Sequence, residues 1–138
     1  MQTSRRTFLK TIGCLTVGFY LPPLPSQDEY GAINAWLEVL ADGRIRVLTG
    51  KLELGQGITT AVAQVAAEEL NMEMTQVEVT MAETGRTPNE GYTAGSNSIE
   101  SSAMSIRRAA AAAREQLLQL AADKLHVPVV ELQIRNGK

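Results

Sequence analysis

Two short segments of the chain place glycine beside hydroxyl and amide side chains directly before an expected helix. The first loop, residues 53–59, reads Glu-Leu-Gly-Gln-Gly-Ile-Thr, and the second loop, residues 92–98, reads Tyr-Thr-Ala-Gly-Ser-Asn-Ser. Backbone N–H groups at the start of a helix lack intrahelical acceptors and carry a partial positive charge of about +0.5, while glycine lets a ligand approach the backbone. Phosphate groups bind such places readily, so both loops are candidate binding sites.

Neither loop carries an established nucleotide-binding motif. The phosphate loop requires Gly-Lys-Ser/Thr and the dinucleotide fingerprint requires Gly-x-Gly-x-x-Gly, and both loops lack these patterns. When each loop is taken alone, its spacing therefore favours a plain helix cap in a tight turn over a ligand site.

The remaining composition excludes several other kinds of site. One cysteine and one histidine cannot form a disulfide framework, a cysteine-based zinc site or a histidine triad. Nucleic-acid binding usually requires a basic face, and the formal net charge of −2 gives no indication of one. The adjacent carboxylates Glu68 and Glu69 do not face each other on a helix and indicate a solvated surface, while His126 suits a helix C-terminus. The sequence therefore predicts no catalytic residue and no metal ligand.

Alternating apolar residues and turn signals predict the strands that must position the loops. A hairpin is expected from residues 33–40 and 44–51, joined by a turn containing Asp42-Gly43. A third strand spans 77–81, and a short fourth strand spans 131–135. The strong turn signal Asn136-Gly137 then follows without a returning strand, which suggests a piece cut from a longer chain.

Two helices separate these strands. Helical spacing predicts one from residue 58 to about Asn71, opened by Thr59 or Thr60. A long loop, 84–98, leads to a second helix that ends before Pro128. The stripe expected to face the core of that helix consists of Ile99, Ala103, Ile106, Ala110, Ala113, Leu117, Leu120 and Leu125. The order β-β-α-β-α-β indicates an α+β fold class: a small mixed β-sheet with two helices on one face.

Residues 1–26 form a targeting segment. The head Ser-Arg-Arg-Thr-Phe-Leu-Lys, residues 4–10, precedes an apolar run, 11–21, that is shorter than the roughly 20 residues of a membrane-spanning helix. The segment resembles the twin-arginine export signal, which implies translocation of an already folded protein, often one that carries a cofactor. We expect a periplasmic location, with association with the inner membrane as a further option, and a separate domain over residues 27–138.

The order of the motifs resembles the molybdenum-binding large subunit of the xanthine dehydrogenase and aldehyde oxidase family. The matching motifs are Glu53 to Gly57, Ala66 to Leu70, Val77 to Val79, Pro88, and Thr93 to Ser98. The resemblance covers residues 33–138, and together with the export signal it is most similar to isoquinoline 1-oxidoreductase beta-type subunits. Residues 27–138 would then be a partial molybdopterin-binding domain at the N-terminal end of such a subunit.

The resemblance implies that both loops contact a molybdopterin cofactor. Gln56 would hydrogen-bond near the metal-pterin end, and the second loop would hold phosphate and nucleotide oxygens. The implied bacterial form is molybdopterin cytosine dinucleotide, whose dithiolene holds the molybdenum in place of protein side chains. The implied cofactor-binding residues are Gly55, Gln56, Gly57, Thr93, Gly95, Ser96, Asn97 and Ser98.

The implied reaction is hydroxylation or oxidation of a small-molecule N-heterocycle or aldehyde with oxygen from water and electrons passed to iron-sulfur clusters. Because the chain lacks the cysteines for such clusters, they are expected on a partner iron-sulfur subunit, with a cytochrome c as a candidate acceptor. The catalytic glutamate motif of the family has no counterpart here, so the chain is expected to need the remainder of the large subunit and to be inactive alone. Two alternatives stay open: a non-catalytic exported phosphate- or nucleotide-binding module, and a decayed, truncated gene product.

Overall fold

The computed structural model describes the backbone of residues 15–18 and 35–138. Four strands and two helices make up this part of the chain. The strands are β1 (Leu15–Gly18), β2 (Ala35–Val39), β3 (Ile45–Thr49) and β4 (Val77–Met81), and the helices are α1 (Ile58–Glu69) and α2 (Met104–Leu125). A π-helical segment, Ile99–Ala103, leads into α2, and 3₁₀ turns occupy Met74–Gln76 and Val129–Glu131.

The strands form one mixed sheet in the order β1-β2-β3-β4. β1 pairs antiparallel with β2, and β2 pairs antiparallel with β3. β3 and β4 are parallel, with α1 as the crossover between them. The predicted α+β fold class with a small mixed sheet and two helices is therefore confirmed.

The predicted hairpin of β2 and β3 is confirmed, and its turn explains why it forms. Gly43 adopts a φ of 91°, which glycine reaches without a steric penalty. The turn closes with bonds from the Leu40 N–H to the Arg44 carbonyl and from the Gly43 N–H to the Leu40 carbonyl, both 2.9 Å. Asp42 accepts a further bond from the Arg44 N–H at 3.0 Å, so the local sequence determines this connection.

The two faces of the sheet differ in polarity. Arg46 bonds to Glu38 on β2 at 2.8 Å and to Glu78 on β4 at 3.1 Å, and both are its cross-strand partners. The alternate residues of β3 point the other way into the core, where β2, β3, α1 and α2 meet. The core includes Trp36, Leu37, Val39, Ile45, Val47, Val62, Ala66, Ile106, Ala110 and Ala113. The alanines leave room for α1 and α2 to contact each other as well as the sheet.

The ends of both helices use left-handed residues. Asn71, with a φ of 50°, ends α1 as the sequence predicts. Its N–H bonds to the Glu68 carbonyl at 3.1 Å and the Met72 N–H bonds to the Ala67 carbonyl at 2.9 Å, which is the Schellman arrangement. His126, with a φ of 55°, closes α2 in the same region of backbone conformation.

Two sequence-based expectations for the helices are wrong. The N-cap of α1 is Gly57, not Thr59 or Thr60, because a carboxylate from the preceding loop supplies the cap. Ile99, Leu120 and Leu125 of the expected core stripe are exposed. Ile99 precedes the regular helix, and its π-helical geometry shifts it away from the stripe.

The expected fourth strand at residues 131–135 is also wrong. Val129–Glu131 is a 3₁₀ turn, and the part of the chain that the structure describes contains no strand paired with 132–135. The segment instead rests on the end of α1, where Asn71 Nδ2 donates to the Ile134 carbonyl at 2.5 Å. The turn prediction itself holds, since Arg135 and Lys138 exchange backbone bonds of 2.7 and 2.9 Å around Asn136-Gly137.

The proposed targeting segment lies largely outside the described residues. Its exception is β1, which falls within the apolar run 11–21 and pairs with β2; the sequence did not predict this strand. No helix in the described ranges has the length and apolar character needed to cross a membrane.

Candidate functional site

The parallel pair β3 and β4 brings both predicted loops to one edge of the sheet. The first loop follows β3, and the second loop lies on the connection that follows β4. The Ala82 N–H donates to the Thr49 carbonyl at 2.8 Å, directly where the two strands end. Ligands of open sheets bind outside the carboxyl ends of parallel strands, so the topology supports the position of the candidate site.

Hydrogen bonds join the two connections at a loop junction, formed by residues 49–52 and 88–93. The Glu90 carboxylate accepts from Thr49 Oγ1 at 2.5 Å and from the Gly50 N–H at 2.7 Å. Lys51 Nζ donates to the Glu90 and Tyr92 carbonyls at 2.8 and 3.0 Å. The Leu52 N–H donates to Thr93 Oγ1 at 2.9 Å. Side chains from each connection thus fix the backbone of the other.

The junction also depends on the absence of a side chain at Gly50. A Cβ atom built there would overlap the Pro88 carbonyl oxygen and would lie 3.1 Å from the Glu90 nitrogen. Backbone atoms cannot move aside as a flexible side chain can, so only glycine allows this approach.

Glu53 is the N-terminal cap of α1, supplied from four residues before the N-cap position. Its carboxylate accepts bonds from the N–H groups of Gly55 and Gly57, both at 2.9 Å, and from the Thr59 N–H and Oγ1, both at 3.0 Å. The Thr59 and Gly57 N–H bonds, with smaller contributions from the other two, lower the pKa of Glu53 to about 2. The positive end of α1 therefore already holds an anion from its own chain.

The remaining residues of the first loop leave an open backbone. Gly55 and Gly57 have φ values of 92° and 78°, and a Cβ at either would meet no atom within 4 Å. The Gln56 amide folds back on the loop: its Oε1 accepts from the Leu54 N–H at 2.5 Å and its Nε2 donates to the Leu52 carbonyl at 2.8 Å. One Nε2 proton and one lone pair of Oε1 are not needed for these two bonds.

The second loop combines glycine with a strained serine. Gly95 has a φ of 63° with open space around it, and Ser96 follows with a φ of 56°. A serine in this region is uncommon, and such strain concentrates at functional sites. The Asn97 carbonyl accepts from Ser101 Oγ at 2.7 Å, and Ser98 is buried under the start of the helix. Of the predicted residues in this loop, Gly95, Ser96 and Asn97 are thus exposed, while Thr93 belongs to the junction and Ser98 to the interior.

Several large apolar side chains in the two loops and on the segments next to them are exposed. Tyr92 is 94% exposed and Leu54 is 69% exposed. Leu52, Ile99 and Met104 are also exposed on the segments that flank the loops. This apolar rim, formed by these five residues, is unlike the charged outer face of the sheet and is suited to contact with another body.

The other candidate residues from the sequence lie in the core or at the surface, away from the two loops in the chain. Trp36 is part of the core. Glu69 pairs with Arg107 at 3.2 Å, while Glu68 and His126 are exposed. Within residues 36–138, no group of three or more His, Cys, Asp or Glu side chains could hold a metal ion.

Sequence reasoning missed Lys51 and Glu90, two of the residues that build the junction. Lys51 continues the inward-facing alternation of Ile45, Val47 and Thr49 and is buried, so a lysine at a core-facing position was the available signal. Glu90 carried no such signal, because its partners lie about forty positions earlier in the chain.

Comparison with known proteins identifies the relatives of this chain. The model of the molybdopterin cofactor-binding domain family matches residues 2–138. One subunit of nicotinate dehydrogenase from Pseudomonas putida is 42% identical over 74% of this chain and 9% of its own length. The beta subunit of isoquinoline 1-oxidoreductase from Brevundimonas diminuta is 31% identical over 99% of this chain and 20% of its own.

Xanthine dehydrogenase of Blastobotrys adeninivorans is 34% identical over 61% of this chain and 6% of its own length. The chain spans no more than a fifth of these curated relatives. No solved structure matches it significantly. Since the family model covers almost every residue, the chain belongs to the molybdopterin cofactor-binding domain family.

Proposed function

We propose that this chain forms one wall of the cofactor site of an exported molybdenum hydroxylase, with the first and second loops in contact with molybdopterin. The observation that carries the proposal is the loop junction. The two loops predicted from the sequence lie on one edge of the sheet, and the side chains of Thr49, Lys51, Glu90 and Thr93 bond together the connections that carry them. A ligand that spans both loops is the simplest reason for this arrangement.

The donors at this edge fit a cofactor that carries phosphate. The Gly55 N–H in the first loop and the Gly57 and Thr59 N–H groups at the start of α1 stabilise the Glu53 carboxylate, so this helix end already binds an anion from its own chain. The second loop contains no acidic residue, and its open backbone at Gly95 and Ser96 would admit phosphate oxygens of the cytosine dinucleotide form. Because Glu53 occupies the α1 N-terminus, the second loop is the proposed phosphate-binding site.

The residues of this chain bind and orient the cofactor. When bound, the cofactor supplies the molybdenum centre for oxidation or hydroxylation of an aldehyde or N-heterocycle with oxygen from water. Gln56 would offer its remaining amide proton and lone pair to the pterin end, and Gly55 and Gly57 would allow close approach. Glu53 has a pKa of about 2 and its carboxylate already accepts from four donors. It is therefore a weak proton acceptor, and the base for the reaction comes from elsewhere.

The proposed assembly includes the remainder of the large subunit and an iron-sulfur subunit. Several relatives are named as subunits of larger dehydrogenases, including the gamma subunit of the 6-hydroxypseudooxynicotine dehydrogenase complex from Paenarthrobacter nicotinovorans. The apolar rim around the loops supplies a surface for such contact. The chain has one cysteine, so the clusters would be held by the partner, with a cytochrome c as the proposed acceptor and the periplasm as the proposed location.

The test is molybdenum content in the complex purified from its native host. Ser96→Asp places a negative charge where phosphate would lie, and aspartate tolerates the left-handed backbone of this position. We expect this variant to fold and to lose most of its molybdenum by elemental analysis. Gln56→Ala should retain most of the metal but turn over more slowly, because a lost hydrogen bond of this kind costs about 0.5–1.5 kcal/mol.

A matched control is Ala111→Asp, which adds the same charge on the exposed side of α2. It should keep its molybdenum. Full occupancy in Ser96→Asp, together with an unchanged melting temperature, would remove the second loop from the cofactor site and leave it as an ordinary helix cap.

A further inference from the structure

We infer that Lys51 is a positioning residue: its buried ammonium group sets the second loop against the first and so shapes the edge that contacts the cofactor. The expected effect on the cofactor rests on the proposed function. The role of Lys51 in holding the second loop rests on the hydrogen bonds of the loop junction alone. Lys51 is only 2% exposed, so in this structure the ammonium acts through the backbone of the loop and not by touching a ligand.

The burial of Lys51 is unusual enough to need a reason. Lysine is almost never fully buried unless its charge is satisfied, because removing an ammonium group from water is costly. Here it follows Thr49 on the core-facing side of β3, in line with apolar residues. A methionine or leucine would fill the same space at no such cost, so packing alone does not account for the lysine.

The hydrogen bonds of Lys51 account for it. Nζ donates to the Glu90 carbonyl at 2.8 Å and to the Tyr92 carbonyl at 3.0 Å. These carbonyls flank Gly91, which has a φ of 65° and open space around it. Glycine is the residue at which a chain bends most easily. One ammonium group thus fixes the chain on both sides of the flexible point that leads into the second loop.

The neighbouring bonds hold the segments on either side, and the Gly91 N–H donates to Asn89 Oδ1 at 3.1 Å, a bond within the bend that does not reach the first connection. Glu90 Oε2 binds the end of β3, and Thr93 Oγ1 accepts from the Leu52 N–H. Without the ammonium, the Glu90 and Tyr92 carbonyls would turn toward water, and Gly91 would be restrained by the local bond to Asn89 but not by the first connection. The backbone of Gly95 and Ser96 would then lose its fixed distance from the first loop.

Hydrogen exchange by mass spectrometry on the native complex tests this directly. Lys51→Met keeps the length and volume of the side chain and removes the donor. Since bonds to charged groups are worth about 1.5–3 kcal/mol, exchange of the hydrogen-bonded amides in 90–98, those of Gly91 and Asn97, should accelerate about tenfold or more. Amides of β3 and α2 should keep their rates, and molybdenum content should fall.

Two further variants keep the test decisive if Lys51→Met assembles poorly. Lys51→Gln can donate to one carbonyl and should give an intermediate exchange rate, while Lys51→Arg can donate to both and should restore protection. Lys138→Met removes an exposed lysine outside both loops and should change nothing.

Unchanged exchange in 90–98 would overturn the inference, and so would equal acceleration throughout β3 and α2, which indicates general loss of stability. Failure of the proposed function has a different signature. If Ser96→Asp keeps its molybdenum while Lys51→Met loosens the second loop, the contact with the cofactor is wrong and the role of Lys51 in positioning the loop stands.

Discussion

At the scale of single residues, Glu53 shows how a charge in a binding loop can serve the fold. Its carboxylate satisfies N–H groups that α1 cannot satisfy itself. The pKa of Glu53 lies at about 2, below its ordinary value of 4.5, so folding favours the ionised form. The resulting stability is fully present above pH 4.5 and is lost as the pH falls toward 2.

Glu53→Gln should therefore remove one part of the acid sensitivity of the chain. Thermal unfolding measured from pH 7 to pH 2 should show a lower melting temperature for the variant at neutral pH and a smaller loss of stability between pH 4.5 and 2. Glu68→Gln is the control, because that exposed carboxylate accepts none of these bonds. Parallel profiles for the wild type and Glu53→Gln would contradict the assignment of Glu53 as the cap.

At the scale of elements, Asn71 links the end of α1 to the C-terminal segment. It adopts the left-handed conformation that ends the helix, and its Nδ2 donates to the Ile134 carbonyl while its own carbonyl accepts from the Gly137 N–H at 2.7 Å. These bonds explain why residues 132–135 are held against a helix and not within the sheet. One residue thus carries both a cap and a long-range contact.

Substitutions at Asn71 should separate these two roles. Asn71→Ala keeps a Cβ in left-handed backbone but lacks the short polar side chain that makes this conformation accessible to asparagine, which costs up to about 1–2 kcal/mol, and it removes a hydrogen bond worth about 0.5–1.5 kcal/mol. Asn71→Gly avoids the first cost and should lose only the second. Denaturant unfolding of both variants measures the difference, and equal stability of the two would show that the left-handed conformation carries no weight here.

At the scale of the whole molecule, residues 1–26 are proposed to direct export. The twin-arginine resemblance is consistent with the cofactor function, because it implies export of an already folded protein, often one that carries a cofactor. Replacing Arg5 and Arg6 by lysine should abolish periplasmic accumulation of a reporter fused after Ser26, because the twin-arginine resemblance depends on this pair. Lys10→Arg keeps the pair and should export normally. Unchanged export of the double-lysine reporter would remove the twin-arginine interpretation without affecting membership of the family.

Local features of this protein are determined by sequence alone. The β2–β3 hairpin, α1, β4 and α2 follow from periodicity and from a few turn residues, because each depends on neighbours within several positions. The turn at Asn136-Gly137 follows for the same reason. The order of the motifs along the chain was also sufficient to indicate the molybdopterin cofactor-binding family, because it is visible in the sequence without knowledge of the tertiary contacts.

Only the tertiary structure decided which groups meet. Parallel pairing of β3 with β4 places residues 49–52 beside 88–93, and this gives Glu90 its partners and buries Lys51. The expected strand at 131–135 failed because a strand requires a partner ladder, whereas Asn71 offers that segment hydrogen bonds from a helix end. Periodicity reports which side of an element is apolar. It does not report which distant backbone group a buried lysine or a loop carboxylate will bind, because that depends on the free energy of the assembled sheet and helices.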